Sequence, residues 1–315
     1  MLAAGIVMSF MIGISGALAA SDYPTRYIDV VIPYGPGGST DSVIRLYKDK
    51  VEKILGQPIV VIYKPGAAGV TAGEHVRQSK PDGYTIFMSS DAALVTSILV
   101  KKASFTLDDF APICTLTTTT TYLCVKKDSP YKTMVDFIQA AKTKKLTYTT
   151  SSAFDTGHIV VEAISRQAGF KAIPIPGGGG AKAMTAVLGG HVVMSGVAAT
   201  GMESQLRVLA TVNPTRTEAY PDVPTLKELG FPSLAWGTYF TLWAPKGTPK
   251  EIIDKLHGAF SNALDNNKAE MINRTKAINH IPKVLSPKET LETATAKYNT
   301  FKKMYTEMKV PTLKK

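Results

Sequence analysis

Cysteine is nearly absent: Cys114 and Cys124 are the only two in 315 residues. Two cysteines make no disulfide framework, although one bridge is permitted outside the cytoplasm; two small buried side chains are the competing reading. Metal-site spacing is missing as well, with His75, His158, His191, His257 and His280 scattered along the chain. No Gly-x-x-x-x-Gly-Lys-Ser/Thr run exists to cradle a nucleotide, and no Gly-x-Ser-x-Gly elbow presents a nucleophile. Asp41, Asp91 and Asp155 show no spacing that argues for a carboxylate dyad. Lysines are dispersed, without the interleaved aromatics of a nucleic-acid surface. These absences argue against an enzyme, a cofactor, a metal and nucleic acid. Past residue 20 there is also no apolar run long enough to span a bilayer.

The chain does have ordinary globular composition, 44% hydrophobic and 19% charged, in a length that suits two moderate cores. Its formal charge of +11 gives a field that draws in acidic small molecules. The opening "MLAAGIVMSFMIGISGALAA" carries no charge and ends in small residues. It reads as a secretory signal peptide cut near Ala19 or Ala20, which predicts an exported, soluble remainder.

After this leader, strand and helix patterns alternate. "YIDVVIPY" is strand-like, a helix with Val43, Tyr47, Val51 and Ile54 on one face runs to Gly56, and "PIVVIY" is the next strand. "KPGAAG" is a glycine loop, "VTAGEHVRQS" a short helix and "YTIFMSS" a third strand. The same order recurs from Leu146 to Gly196: "LTYTT", a polar loop, a helix stopping at Gly169, "KAIPI", "PGGGG", the helix "AKAMTAVLGG" and "HVVMS". Two βαβαβ units predict two lobes of one architecture; one continuous doubly wound sheet is the alternative. "TTYLCVKKDSPYKTMVDFIQ" and "YFTLWAPKGTPKEIIDKLHGAF" share a strand, turn, proline and helix pattern and mark the crossings between lobes. The threonine run Thr117–Thr121 reads as a crossing strand. Thr248 and Glu251 around Pro249 look like a capping box, and Ser286 begins a last helix in the same manner. That helix, with Leu291, Tyr298, Phe301, Tyr305 and Met308 on one face, is expected to pack on the first lobe. The expected division is 1–20 signal peptide, 21–121 first lobe, 122–232 second lobe and 233–315 return to the first.

Ligands of open parallel sheets sit beyond the carboxyl ends of the strands. Each lobe offers a polar loop there that leads into a helix, whose free N–H groups and partial positive charge favour an anion. In the first, Gly37 and Gly38 admit close approach while Ser39 and Thr40 can donate; in the second, Ser151, Ser152, Thr156 and His158 do so. Helix capping by Ser39, Thr40 or Asp41 is the plainer alternative. Four glycines at 177–180 suggest close approach of a ligand or of the other lobe.

The segments "YPTRYIDVVIPYGPGGSTDSVIRL", "LGQPIVVIYKPGAAGVTAGEHV", "KPDGYTIFMSS", "YPDVPTLKELGF" and "WAPKGTP", in this order, resemble the substrate-binding proteins of tripartite tricarboxylate transporters, the Bug receptors. The resemblance implies an α/β, type II periplasmic-binding-protein fold that closes on a small mono- or dicarboxylate, gripped through backbone N–H groups, hydroxyls and waters. It implies a ligand-binding set of Tyr34, Gly37, Gly38, Ser39, Thr40, Asp41, Ser89, Asp91, Ser152, Phe154, Asp155, Thr156, His158 and Gly178. The family's facing loop commonly reads Gly-(Ser/Thr)-x-x-His-Leu; "FDTGHI" keeps Thr156 and His158 but puts Phe154 and Asp155 where small residues are usual. The family's Tyr-Lys-Gly-Gly-Gly is "IPGGGG" here, without the lysine. Phe154 is thereby a candidate to stack on an aromatic acid, and Asp155 to receive an amino or hydroxyl group. The implied role is a monomeric periplasmic receptor serving inner-membrane transporter subunits; a sensor, or a two-lobed enzyme acting on a carboxylic acid, are the alternatives.

Overall fold

Short apolar strands, most of them followed by a helix, build the molecule as the alternation predicts. The computed structural model describes residues 22–101, 103–151, 153–177, 179–197 and 205–308. The expected signal peptide, Ser152 and Gly178 lie outside the described residues. The first unit is β1 (Ile28–Ile32), α1 (Ser39–Leu55), β2 (Ile59–Tyr63), α2 (Val70–Arg77), β3 (Thr85–Ser90), α3 (Asp91–Leu99) and β4 (Phe110–Thr119). The second is β5 (Tyr122–Lys126), α4 (Met134–Thr143), β6 (Leu146–Thr150), α5 (Thr156–Ala168), β7 (Ala172–Pro176), α6 (Gly180–Leu188), β8 (Met194–Val197) and β9 (Leu206–Thr211). The chain ends in β10 (Thr238–Pro245), α7 (Lys250–Asp265), α8 (Lys268–Lys276), β11 (His280–Leu285) and α9 (Pro287–Glu307).

Two sheets result, ordered β11-β4-β10-β3-β1-β2 and β7-β6-β8-β5-β9. Reversing the second gives β9-β5-β8-β6-β7, which matches β4-β10-β3-β1-β2 strand for strand. The pairing matches too: β1 is parallel to β2 and β3, and β6 to β7 and β8, while β10 and β5 run antiparallel to their neighbours. The lobes are thus two copies of one plan, and the single continuous sheet is set aside.

Crossing takes two residues, Thr120 and Thr121, between β4 and β5. The threonines before it tie the first sheet together. Thr117 Oγ1 meets His280 Nδ1 at 2.9 Å, Thr118 donates to the Thr238 carbonyl, and Thr119 donates to that of Asn279. Cys114 and Cys124 are buried, unlinked and in different sheets.

Two helices belong to both cores. On α3, Leu94 and Ile98 pack with Val31, Phe87 and Trp243 of the first sheet, whereas Ala92, Val95 and Leu99 join the core of the second. A helix buried on opposite sides must be apolar nearly all round, as "DAALVTSIL" is. Along α9 the division runs lengthwise: Ala294 packs in the first lobe, and Phe301, Met304, Tyr305 and Met308 pack against the second. The expectation that this helix rests on the first lobe therefore holds for its first half alone. Its Ser286–Glu289 capping box forms as read, but the one at Thr248 does not. Thr248 donates instead to the Pro245 carbonyl, and Pro249, with no side-chain cap, begins α7.

Candidate functional site

In the first lobe, β1 ends at Ile32 and the loop Pro33–Gly38 turns into α1. Gly37 turns with φ +81°, open to a residue without Cβ. The N-cap of α1 is Gly38, and no side chain caps it. Capping by Ser39, Thr40 or Asp41 is thereby ruled out as their role. Asp41 is buried and reaches backwards: one oxygen accepts the Gly37 N–H at 2.9 Å, the other accepts Arg45 Nε at 2.9 Å and Tyr63 Oη at 2.8 Å. Burial alone would raise this carboxyl; the Gly37 N–H, Arg45 and Tyr63 outweigh it and hold it below the usual carboxylate range. Asp41 therefore shapes the glycine loop, and the first turn of α1 keeps no side-chain cap. Thr40 is buried and Ser39 is exposed.

In the second lobe, Asp155 caps α5, accepting the His158 N–H at 2.9 Å. Gly157 lets the start of α5 meet β8: a Cβ there would lie 2.0 Å from the Gly196 carbonyl oxygen. Buried Thr156 meets Thr238 of β10, in the first sheet, at 3.3 Å between hydroxyls. Half-buried His158 lies against the rings of Phe154 and Tyr148, and burial lowers its imidazole despite Glu162. The ring of Phe154 packs on Tyr305 and His158. In the glycine run, a Cβ on Gly177 would strike the Thr150 carbonyl at 2.1 Å, and the Gly179 N–H bonds the Ser151 carbonyl. What approaches closely is the end of β6 in the same lobe.

The third contributor is the end of β3. Ser89 is buried with no hydrogen-bond partner for its hydroxyl among the described residues. Ser90 caps α3. Asp91 is fully buried, accepting the Ala92 and Tyr239 N–H groups and lying 3.5 Å from Lys297 Nζ, itself bonded to the Gly237 carbonyl at 2.5 Å. Burial pushes the Asp91 carboxyl up and the Lys297 ammonium down, each opposed by the other. This pair fastens α9 to the return crossing.

The second-lobe loop reaches the first lobe where Thr156, at the start of α5, meets Thr238. Tyr34 is 37% exposed, yet its phenol is pushed up to about 12, first by loss of solvent and second by the charge of Asp155 on the opposite lobe. Of the residues read from the sequence, Tyr34, Gly37, Gly38, Ser39 and Thr40 lie on the first-lobe loop and the start of α1, and Phe154, Asp155, Thr156 and His158 on the second-lobe loop and the start of α5. A separate surface groove of about 440 Å3, lined among others by Ala111, Thr248 and Ser286, lies at the far end of the first sheet, where Phe110 pairs with Pro245. Sequence reading missed Arg45, Tyr63, Thr96, Thr238 and Lys297 at this site. Tyr63, Thr96, Thr238 and Lys297 act through contacts distant in the chain, Arg45 through Asp41 one helical turn away and through Tyr63, and only Tyr305 carried a signal, as part of an apolar face.

Among the described residues no helix is long and apolar enough to cross a membrane, and no group of three or more His, Cys, Asp or Glu is placed to hold a metal. A family model described as the tripartite tricarboxylate transporter family receptor matches residues 43–279. A UPF0065 protein of Cupriavidus necator is 38% identical over 254 residues, 78% of this chain and 77% of that protein. BugT of Bordetella pertussis is 29% identical over 262 residues, 80% of each chain. Among solved structures, an R. palustris protein with adipate is 25% identical, with a TM-score of 0.82 over 91% of this chain and 99% of its own.

Proposed function

Because this chain belongs to the tripartite tricarboxylate transporter receptor family, we infer that it is a periplasmic receptor for one small organic carboxylate, which it hands to the membrane subunits of such a transporter. The family consists of solute-binding receptors rather than enzymes. One observation carries the ligand class: the glycine loop that leads into the N-terminus of α1, which no side chain caps. The carboxylate lies against the first-turn N–H groups of α1, with Ser39 and Thr40 beside it. Thr156 and His158 close over it from the second lobe. Hinge closure follows, because only the closed arrangement brings both loops to one ligand. The adipate bound by the R. palustris relative fits this class. The receptor acts as a monomer, without metal or cofactor.

Calorimetric titration of the protein with a panel of mono- and dicarboxylic acids, adipate and malate among them, tests the reading. One acid binds at one site per chain, and Gly38→Trp abolishes it by filling the loop. No binding across the panel, or binding indifferent to Gly38→Trp, overturns the assignment. Uptake of that acid by cells that carry the membrane subunits then tests delivery, and uptake independent of this protein refutes it.

A further inference from the structure

Phe154 holds a left-handed backbone, φ +65°, in the middle of the second-lobe loop. For a bulky residue this conformation costs about 1–2 kcal/mol and persists only where the surroundings fix it. They do so through the Phe154 carbonyl, which accepts from Thr96 Oγ1 at 3.1 Å and from Tyr305 Oη at 3.0 Å. The two hydroxyls are 3.0 Å from each other and both are buried. Three contacts share two hydrogens. If the loop withdraws, Thr96 and Tyr305 still satisfy one another, so neither is left as a buried, unpartnered hydroxyl. Release is therefore cheap for the donors, and only the loop loses its hold.

Neither donor is part of the loop's own sheet. Thr96 sits on α3, which follows β3 of the first sheet. Tyr305 sits on the half of α9 that packs against the second lobe, where Arg166 of α5 donates to the Glu307 and Met308 carbonyls. The first half of the same helix is pinned to the first sheet by Thr290 on Thr115 at 3.2 Å and by Lys297 on Gly237 and Asp91, so one rigid helix spans both lobes. The residues next to Phe154 are Asp155, which caps α5, and Thr156, which meets Thr238 of the first lobe. We propose that Thr96 and Tyr305 are positioning residues for the ligand: through the Phe154 carbonyl they hold the second-lobe loop in its gripping shape and make that shape depend on the arrangement of the lobes. This rests on the receptor reading for what the loop grips, though not for how it is held.

Tyr305→Phe and Thr96→Val in the full chain test it, with two readings. Without ligand, amide hydrogen exchange at His158 and Ile159, both bonded to Asp155, speeds up by about three- to tenfold, the worth of one neutral hydrogen bond, while amides of β1 keep the parent rate. With adipate, the variants bind weaker by a similar factor. The double variant is no weaker than the weaker single, since both act on one acceptor. Phe154→Gly, which adopts the left-handed form unaided, restores the slow exchange in the Tyr305→Phe background. Unchanged exchange at His158, an equal rise in β1, or unchanged adipate affinity in a variant whose parent binds adipate overturns the proposal. A parent that binds no acid defeats the receptor reading alone, and the ligand-free exchange then decides the matter of the loop.

Discussion

The two lobes share one strand order and hold their ligand loops by opposite means. In the first, a carboxylate on the loop's own helix, Asp41, binds the loop at Gly37 and is locked by Arg45 and Tyr63 of the same lobe. In the second, the loop's carbonyl at Phe154 is held by neutral hydroxyls on helices that both lobes share. Their helix ends differ in the same sense: α1 begins at a glycine with no side-chain cap, α5 at Asp155, whose own carboxylate caps it. On the reading proposed above, the first lobe is the anion seat, complete in itself, and the second a cover whose shape depends on its neighbour. Duplication of a fold does not duplicate the site.

The junction is where the comparison breaks most severely. Lys297→Met leaves Asp91 charged and buried without its partner, which costs about 3–5 kcal/mol and loosens α9 from the return crossing. Chemical denaturation measures the loss. A variant as stable as the parent would mean that the pair does not join the lobes, and the asymmetry described above would need another cause. Next comes Gly157→Ala, whose methyl would collide with the backbone of Gly196. Overpacking against main chain that cannot yield costs about 3 kcal/mol, and the unfolding midpoint reports it.

Asp41→Asn follows, at about 1–2 kcal/mol for hydrogen bonds that lose their charge. The held carboxyl titrates below its unfolded value, so its contribution is complete above that value, about pH 4, and is lost as pH falls through the lower folded value. The stability gap between parent and Asp41→Asn is therefore constant near neutrality and closes only in acid. A gap that closes nearer pH 6 would point to some other group.

How far the sequence revealed this arrangement follows from the range of each interaction. Alternating strands and helices, Gly56 and Gly169 at helix ends and the Ser286–Glu289 box are local, and all could be read within a few residues. The helix α3 escaped notice because its two buried faces erase the periodicity that identifies a helix. Lys297 occupies what reads as a solvated helix position, yet it is buried on a partner 206 positions away in the chain. Glycines 37 and 38 pointed correctly to a loop between strand and helix, while Asp41, beside them, proved to be its clasp.

The smallest effects separate conformation from contact within the first loop. Gly37→Ala puts a side chain at φ +81° in open space, so its cost is conformational, about 1 kcal/mol. Gly38 has an ordinary φ of −80°, and an added Cβ meets only the Gly35 carbonyl at 3.7 Å. Gly38→Ala should leave stability within about 0.5 kcal/mol of the parent. Yet its methyl occupies the surface beside the first-turn N–H groups of α1, where the receptor reading puts the carboxylate. A melt that does not move, paired with calorimetric affinity that falls, is the expected outcome for Gly38→Ala. Affinity that also stays unchanged would place the anion elsewhere and leave the uncapped helix end without the task that distinguishes the first lobe from the second.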